Sequence, residues 1–211
     1  PISEKVREAE SNMKKLFTAI LVFTSVTSSF GADGRRTQLK LLGLFNLTMP
    51  KLASAAAESL IKSESGIGGG MLIEFPLGKV VGLELGGLYM PYTYKIVEST
   101  SVTDLKLTSA YISVPIGFKF HAGAFVFGVG GYFSQPMGNT KLSGTLVGVD
   151  AAGETSNNQN DYGAYVALGF DIKMGAKLSF LLEGRGLMGL KDFSGTKFNH
   201  AQGLAGFGIN F

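Results

Sequence analysis

Apolar and polar residues alternate along most of this chain, most cleanly over its last fifty residues. Val166, Leu168, Phe170 and Ile172 are followed by Leu178, Phe180 and Leu182, then by Gly203, Ala205, Phe207, Ile209 and Phe211. The positions between carry Ala167, Gly169, Asp171, Ser179, Glu183, Arg185, Gln202, Gly208 and Asn210. A period of two marks strands with two chemically different faces. Extended to the whole chain, the pattern predicts eight strands. They lie near Gln38–Leu47, Gly66–Phe75, Val80–Tyr92, Thr108–Phe120, Ala124–Phe133, Tyr162–Ile172, Lys177–Met188 and His200–Phe211.

The connections between these strands alternate in length. Pro76–Lys79, His121–Gly123 and Lys173–Ala176 are short; Thr48–Ser65, Thr93–Leu107, Ser134–Asp161 and Gly189–Asn199 are long. This is the asymmetry of an up-and-down membrane barrel, with turns on the periplasmic side and loops outside. An even strand number puts both ends of the barrel on the periplasmic side. The predicted fold is all-β, an eight-stranded antiparallel up-and-down transmembrane β-barrel.

Composition sharpens this picture. Thirty glycines and sixteen phenylalanines beside only 17% charged residues are unusual for a soluble globule of 211 residues. No run of 18 uninterrupted apolar residues follows residue 32, so a spanning helix is not predicted there. Cysteine is absent, which removes disulfides, thiolate nucleophiles and Cys-ligated metals. The formal charge is +3, and dropping residues 1–32 removes four basic and three acidic groups, leaving +2. So small and scattered a charge does not predict nucleic acid as a partner.

The start of the chain reads as export information. Residues 1–12 (PISEKVREAESN) form a charged upstream extension, and residues 13–32 read as a secretory signal peptide. Met13, Lys14 and Lys15 precede an apolar stretch from Leu16 to Phe23 and a small, polar stretch from Thr24 to Ala32. An anchor helix is the competing reading, but the apolar core is short and diluted by Thr18, Thr24 and Ser25. Residues 33–211 then form the barrel, about 180 residues and one domain by length.

The terminal Phe211, in phase with the apolar face, resembles the end signature of bacterial outer-membrane barrels and is the expected C-terminal insertion signal. The layout is similar to the eight-stranded family that includes the transmembrane domain of outer-membrane protein A and the OmpX-type barrels. Ser109–Phe120 (SAYISVPIGFKF) is similar to the Tyr-x-x-x-Pro-x-x-x-Lys-Phe strand of porin-family domains of this kind. Two departures stand out: there is no Trp for an interfacial girdle, and no peptidoglycan-binding domain follows. The resemblance implies a Gram-negative outer-membrane protein, inserted by the barrel assembly machinery and surrounded by outer-membrane lipid.

The alternation also assigns faces. Ile112, Val114, Ile116, Phe118 and Phe120 oppose Tyr111, Ser113, Pro115, Gly117 and Lys119; Met71, Ile73 and Phe75 oppose Gly70 and Glu74. With the apolar set toward lipid, Lys40, Glu74, Glu84, Lys119, Asp171, Glu183 and Arg185 point inward as a predicted charge network. Buried charges persist only when paired and hydrogen-bonded. An eight-stranded interior is just wide enough for side chains to fill, which favours such pairing over an ion path. Tyr89, Tyr92, Tyr94, Tyr111, Tyr132 and Tyr162 collect near the outer ends, while Phe75, Phe118, Phe120, Phe170 and Phe211 lie near the inner ends. These aromatics are expected to act as interfacial anchors.

Candidate chemistry is sparse. His121 and His200 lie far apart without convergent carboxylates, so neither metal nor cofactor is expected. A barrel-borne lipid A deacylase would use a His with a nearby Ser. Here Ala201 and Gln202 follow His200, and Ser194 lies in a loop. The glycine runs Gly66–Gly70 and Gly128–Gly131 lack the helix and the Lys and Ser/Thr of a nucleotide loop. Lys51–Lys62 (KLASAAAESLIK) has helix-forming composition, as a short loop helix or a mobile loop, and the third loop reads as exposed and mobile. The predicted role is structural or surface-interacting and non-enzymatic, in a monomer whose outer loops would meet any extracellular partner. The alternatives are a small channel, a lipid A-modifying hydrolase, and a soluble lipocalin-like barrel with its apolar face inward.

Overall fold

The computed structural model describes residues 35–52, 61–96, 102–146, 149–156, 159–192 and 196–211. The predicted extension and leader, and residues 53–60 of the candidate loop helix, lie outside the described residues. Ten strands form: β1 (Gln38–Leu52), β2 (Ile61–Pro76), β3 (Val81–Ile96), β4 (Val102–Ala122), β5 (Phe125–Pro136), β6 (Asn139–Leu146), β7 (Val149–Ser156), β8 (Asp161–Lys173), β9 (Leu178–Gly189) and β10 (Thr196–Asn210). All pairings are antiparallel. The sheet runs β3-β2-β1-β10-β9-β8-β5-β4, and a further β3–β4 pairing closes it into an eight-stranded barrel.

Two features depart from the sequence reading. Every barrel strand beside a long loop extends further toward the loop end, and β4 reaches 21 residues. The third long loop contains the hairpin β6–β7, whose β6 edge pairs with the overhanging start of β4, for example Leu107 with Leu142. The overhang presents unpaired backbone groups, and the hairpin satisfies them. Lys51 and Leu52, assigned by composition to a candidate helix, continue β1 opposite Lys197 and Thr196.

The faces follow the pleat. Ile112, Val114, Ile116, Phe118 and Phe120 are exposed on the outer wall, while Tyr111, Ser113 and Lys119 are buried in the lumen. Val166, Leu168, Phe170 and Ile172 line the same wall on β8. An apolar exterior around a filled interior excludes the lipocalin-like alternative, whose apolar face would point inward. Ile116 is 55% exposed at the middle of β4, between Leu85 and Gly131 on the neighbouring strands. Ile116→Arg is expected to lower stability by about 2–4 kcal/mol. Urea titration in lipid vesicles followed by circular dichroism measures this; a change near zero would show that position 116 lies away from the membrane midplane.

Candidate functional site: the barrel lumen

The inward positions of each strand stack into layers between the turn end and the loop end. On β1 the order from the turn end is Gln38, Lys40, Leu42, Leu44, Asn46 and Thr48, all buried. The lower layer is ionic, the middle aliphatic, and the upper aromatic and polar.

The ionic layer joins five strands. Glu74 on β2 and Glu84 on β3 are direct cross-strand partners, which alone would be unfavourable. Lys40 reaches between them, donating to Glu74 Oε2 at 2.7 Å and Glu84 Oε2 at 2.8 Å. Arg185 donates through Nη2 to Glu84 Oε1 at 2.7 Å and through Nε to Glu183 Oε1 at 2.5 Å. Lys119 donates to Glu183 Oε2 and sits 3.5 Å from Glu84 Oε1. Three carboxylates thus meet three cations, and the guanidinium of Arg185 also lies 5.0 Å from the Tyr165 ring centroid. All six side chains are at most 9% exposed.

Glycine makes room for this belt. A Cβ at Gly82 would stand 2.3 Å from Glu74 Oε1, and one at Gly128 would stand 3.0 Å from Lys119 Nζ. The long side chains lie flat across backbone where no side chain projects.

Asp171 belongs elsewhere. It sits at the turn end, half-buried, where it accepts a hydrogen bond from Gln38 Nε2 at 3.2 Å and makes no ion pair with the belt among the described residues. Its place is taken by two groups that alternation did not identify. Arg35 donates to Glu74, and His121 Nε2 lies 2.7 Å from Glu74 Oε1. Arg35 precedes the first strand and carries no periodicity signal; His121 shares the parity of Lys119 but is read from sequence as the start of the turn His121–Gly123, whereas β4 runs on to Ala122.

The middle layer holds Leu42, Leu44, Leu72, Leu88, Met90 and Leu204. Above it lie three tyrosines assigned by position to the lipid interface. Tyr92, Tyr111 and Tyr132 are instead only 3–5% exposed and point into the lumen. Tyr92 and Tyr132 both donate to Asp161 Oδ2, at 3.1 and 3.2 Å, and Tyr92 stacks on Tyr111 with centroids 4.2 Å apart. The reason is parity: Tyr89 and Tyr92 are three residues apart and cannot share a face. Phe75 is also buried, at 2% exposure, where β2 ends at Pro76.

Tyr89, Tyr162, Phe120 and Phe211 do lie on the outer wall, at 39–59% exposure. Phenylalanines there meet across strands: Phe120 with Phe127, Phe125 with Phe170 and Phe180 with Phe207, at 5.7–6.1 Å between centroids.

His200 is buried in the upper layer against Tyr92, with ring centroids 4.2 Å apart, and its Nε2 is 3.9 Å from Asp161 Oδ2. That is too long for a hydrogen bond. No serine hydroxyl bonds to the ring among the described residues, and Ser194 lies outside them. The geometry needed for a barrel-borne hydrolase, a His–Ser pair accessible to lipid, is not assembled by the described residues.

Residues 26–195 match the family described as an outer membrane protein beta-barrel domain. The chain belongs to this family. Its members' compartment is the bacterial outer membrane, and the closed barrel with an apolar outer wall accords with it. Comparison with curated proteins finds no sequence match. Among solved structures, OprG from Pseudomonas aeruginosa is similar at 12% identity and a TM-score of 0.51, over 85% of this chain and 97% of that one. Neisserial surface protein A is 15% identical over 83% of this chain and 97% of its own, at a TM-score of 0.45. The attachment invasion locus protein of Yersinia pestis is 11% identical over 82% of this chain and 99% of its own, also at 0.45. At these identities the likeness to OprG concerns the fold alone.

Proposed function

We propose that this protein is a non-enzymatic outer-membrane barrel with a structural or surface-interaction role, whose lumen is closed by its own charges. The observation that carries the reading is the three-carboxylate, three-cation belt, in which every charged group has an opposite partner. A transport path of this width would have to break those pairs. Contact with the exterior then falls to the loop end, where the β6–β7 hairpin and the long β4 overhang project.

On this reading the leader at 13–32 is cleaved, the short turns face the periplasm, and the chain acts as a monomer. Its partners are outer-membrane lipid, the assembly machinery during insertion, and an extracellular ligand at the loops; it uses no cofactor and binds no nucleic acid.

Two measurements on whole cells test the reading. The protein is expected in the outer-membrane fraction as a heat-modifiable band, and external protease is expected to cut within residues 139–156 while leaving the barrel intact. Recovery in the soluble periplasm would sink it. Cleavage only at the turns, from the periplasmic side, would keep the barrel and the loops' orientation but remove the surface-contact role.

A further inference from the structure

The turn end of the lumen opens into a polar cavity of about 450 Å3, lined among others by Arg35, Arg36, Lys79, Lys173, Gln38 and Asp171. Four cations face one carboxylate. Arg35 gives Nη2 to Glu74, yet its Nη1 is buried and has no hydrogen-bond partner. Asp171 accepts from Gln38 on Oδ2, yet its Oδ1 is likewise buried without a partner. Both groups line the same cavity, and no ion pair joins them among the described residues. Arg36 and Lys173 are likewise in no ion pair there.

A buried guanidinium N–H and a buried carboxylate oxygen are among the costlier groups to leave unmatched. Their opposite signs on one cavity select a ligand with two poles. The excess of cations makes the larger pole an anion, and arginines match phosphate oxygens through paired N–H donors. Asp171 then faces the smaller pole, a hydrogen-bond-donating cation. The cavity is within the size range of small-molecule sites and too small for a folded partner.

We propose that the turn-end mouth binds a phosphate ester that carries an ammonium group, the chemistry of phosphoethanolamine. It can arrive as a soluble ester or as the headgroup of a lipid in the adjoining leaflet. Arg35, Arg36 and Lys173 hold the phosphate, and Asp171 holds the ammonium.

Calorimetric titration of the folded protein in uncharged detergent tests this, with O-phosphoethanolamine and inorganic phosphate as probes. O-phosphoethanolamine is expected to bind roughly tenfold more tightly than phosphate, and Asp171→Asn is expected to erase that preference while leaving phosphate binding in place. Arg36→Gln combined with Lys173→Gln weakens both probes. The heat-modifiable band reports folding of each variant, and none of these three side chains belongs to the ionic belt. In nanodiscs, loss of probe binding when phosphatidylethanolamine replaces phosphatidylcholine identifies the lipid as the occupant; unchanged binding identifies a soluble ester. Failure of both probes to bind the wild type overturns the proposal, as does equal affinity for the two.

Discussion

Arg185→Met is expected to destabilise the barrel by about 3–5 kcal/mol, the loss typical when one member of a buried ion pair is removed. The side chain is 2% exposed and holds Glu84 and Glu183 at once. Without it, Glu183 keeps only Lys119 and Glu84 keeps Lys40 and the more distant Lys119, so three carboxylates face two belt cations. The chain has no Trp, so unfolding in urea is followed by circular dichroism or by the gel shift of the folded form. Lys141→Met, on the exposed hairpin, is the control and should change stability by no more than about 0.5 kcal/mol. The double variant Arg185→Met with Glu183→Gln restores charge balance and should be more stable than the sum of its single effects, with a coupling of about 0.5–3 kcal/mol. Strict additivity would show that each charge is solvated on its own and that the belt is not a unit.

How much of this site is legible in the sequence depends on which signal carries each residue. Lys40, Glu74, Glu84, Lys119, Glu183 and Arg185 lie in phase with the polar face of a strand, and strand parity alone brings them inward. Asp171 is also in phase, but it lies at a strand end, and parity does not report depth. The tyrosines show the opposite error. Tyr111 shares its parity with Lys119, so the same rule places it inside; nearness to a strand end is a weaker guide than face. The aliphatic middle layer hides because Leu41, Leu42, Gly43 and Leu44 form an apolar run in which alternation is invisible. Only closure of the barrel sends Leu42 and Leu44 in and Leu41 out.

The hairpin β6–β7 was hidden for a different reason. Its sequence carries several Gly, Thr and Ser residues, a composition that reads as loop. Its order comes from a non-local partner, the overhang of β4, which no window over residues 139–156 contains. Arg35 is likewise brought to Glu74 by the ring of strands and not by local pattern, whereas His121 shares the parity of Lys119 and is hidden only because β4 runs past Phe120.

In planar bilayers the wild-type protein is expected to show no steady conductance, because on the proposed function the lumen is closed at two heights by different chemistry. An ion crossing the lower layer must separate Lys40 from Glu74 and Glu84, or Arg185 from Glu84 and Glu183, at 2.5–2.8 Å contacts. An ion crossing the upper layer must displace the stacked rings of Tyr92 and Tyr111 and the hydroxyls bonded to Asp161. Between them lies a largely aliphatic layer, in which few polar side chains, such as Gln202 beside Met90, could replace the water an ion would shed. Closures in series make a specific forecast: Tyr92→Ala removes the upper barrier but leaves the belt, and should remain as silent as the wild type. Sustained current through Tyr92→Ala would show that the ion pairs open at little cost, and that the tyrosine layer was the barrier. A large, reproducible open state in the wild type would go further and put a small channel ahead of a closed barrel.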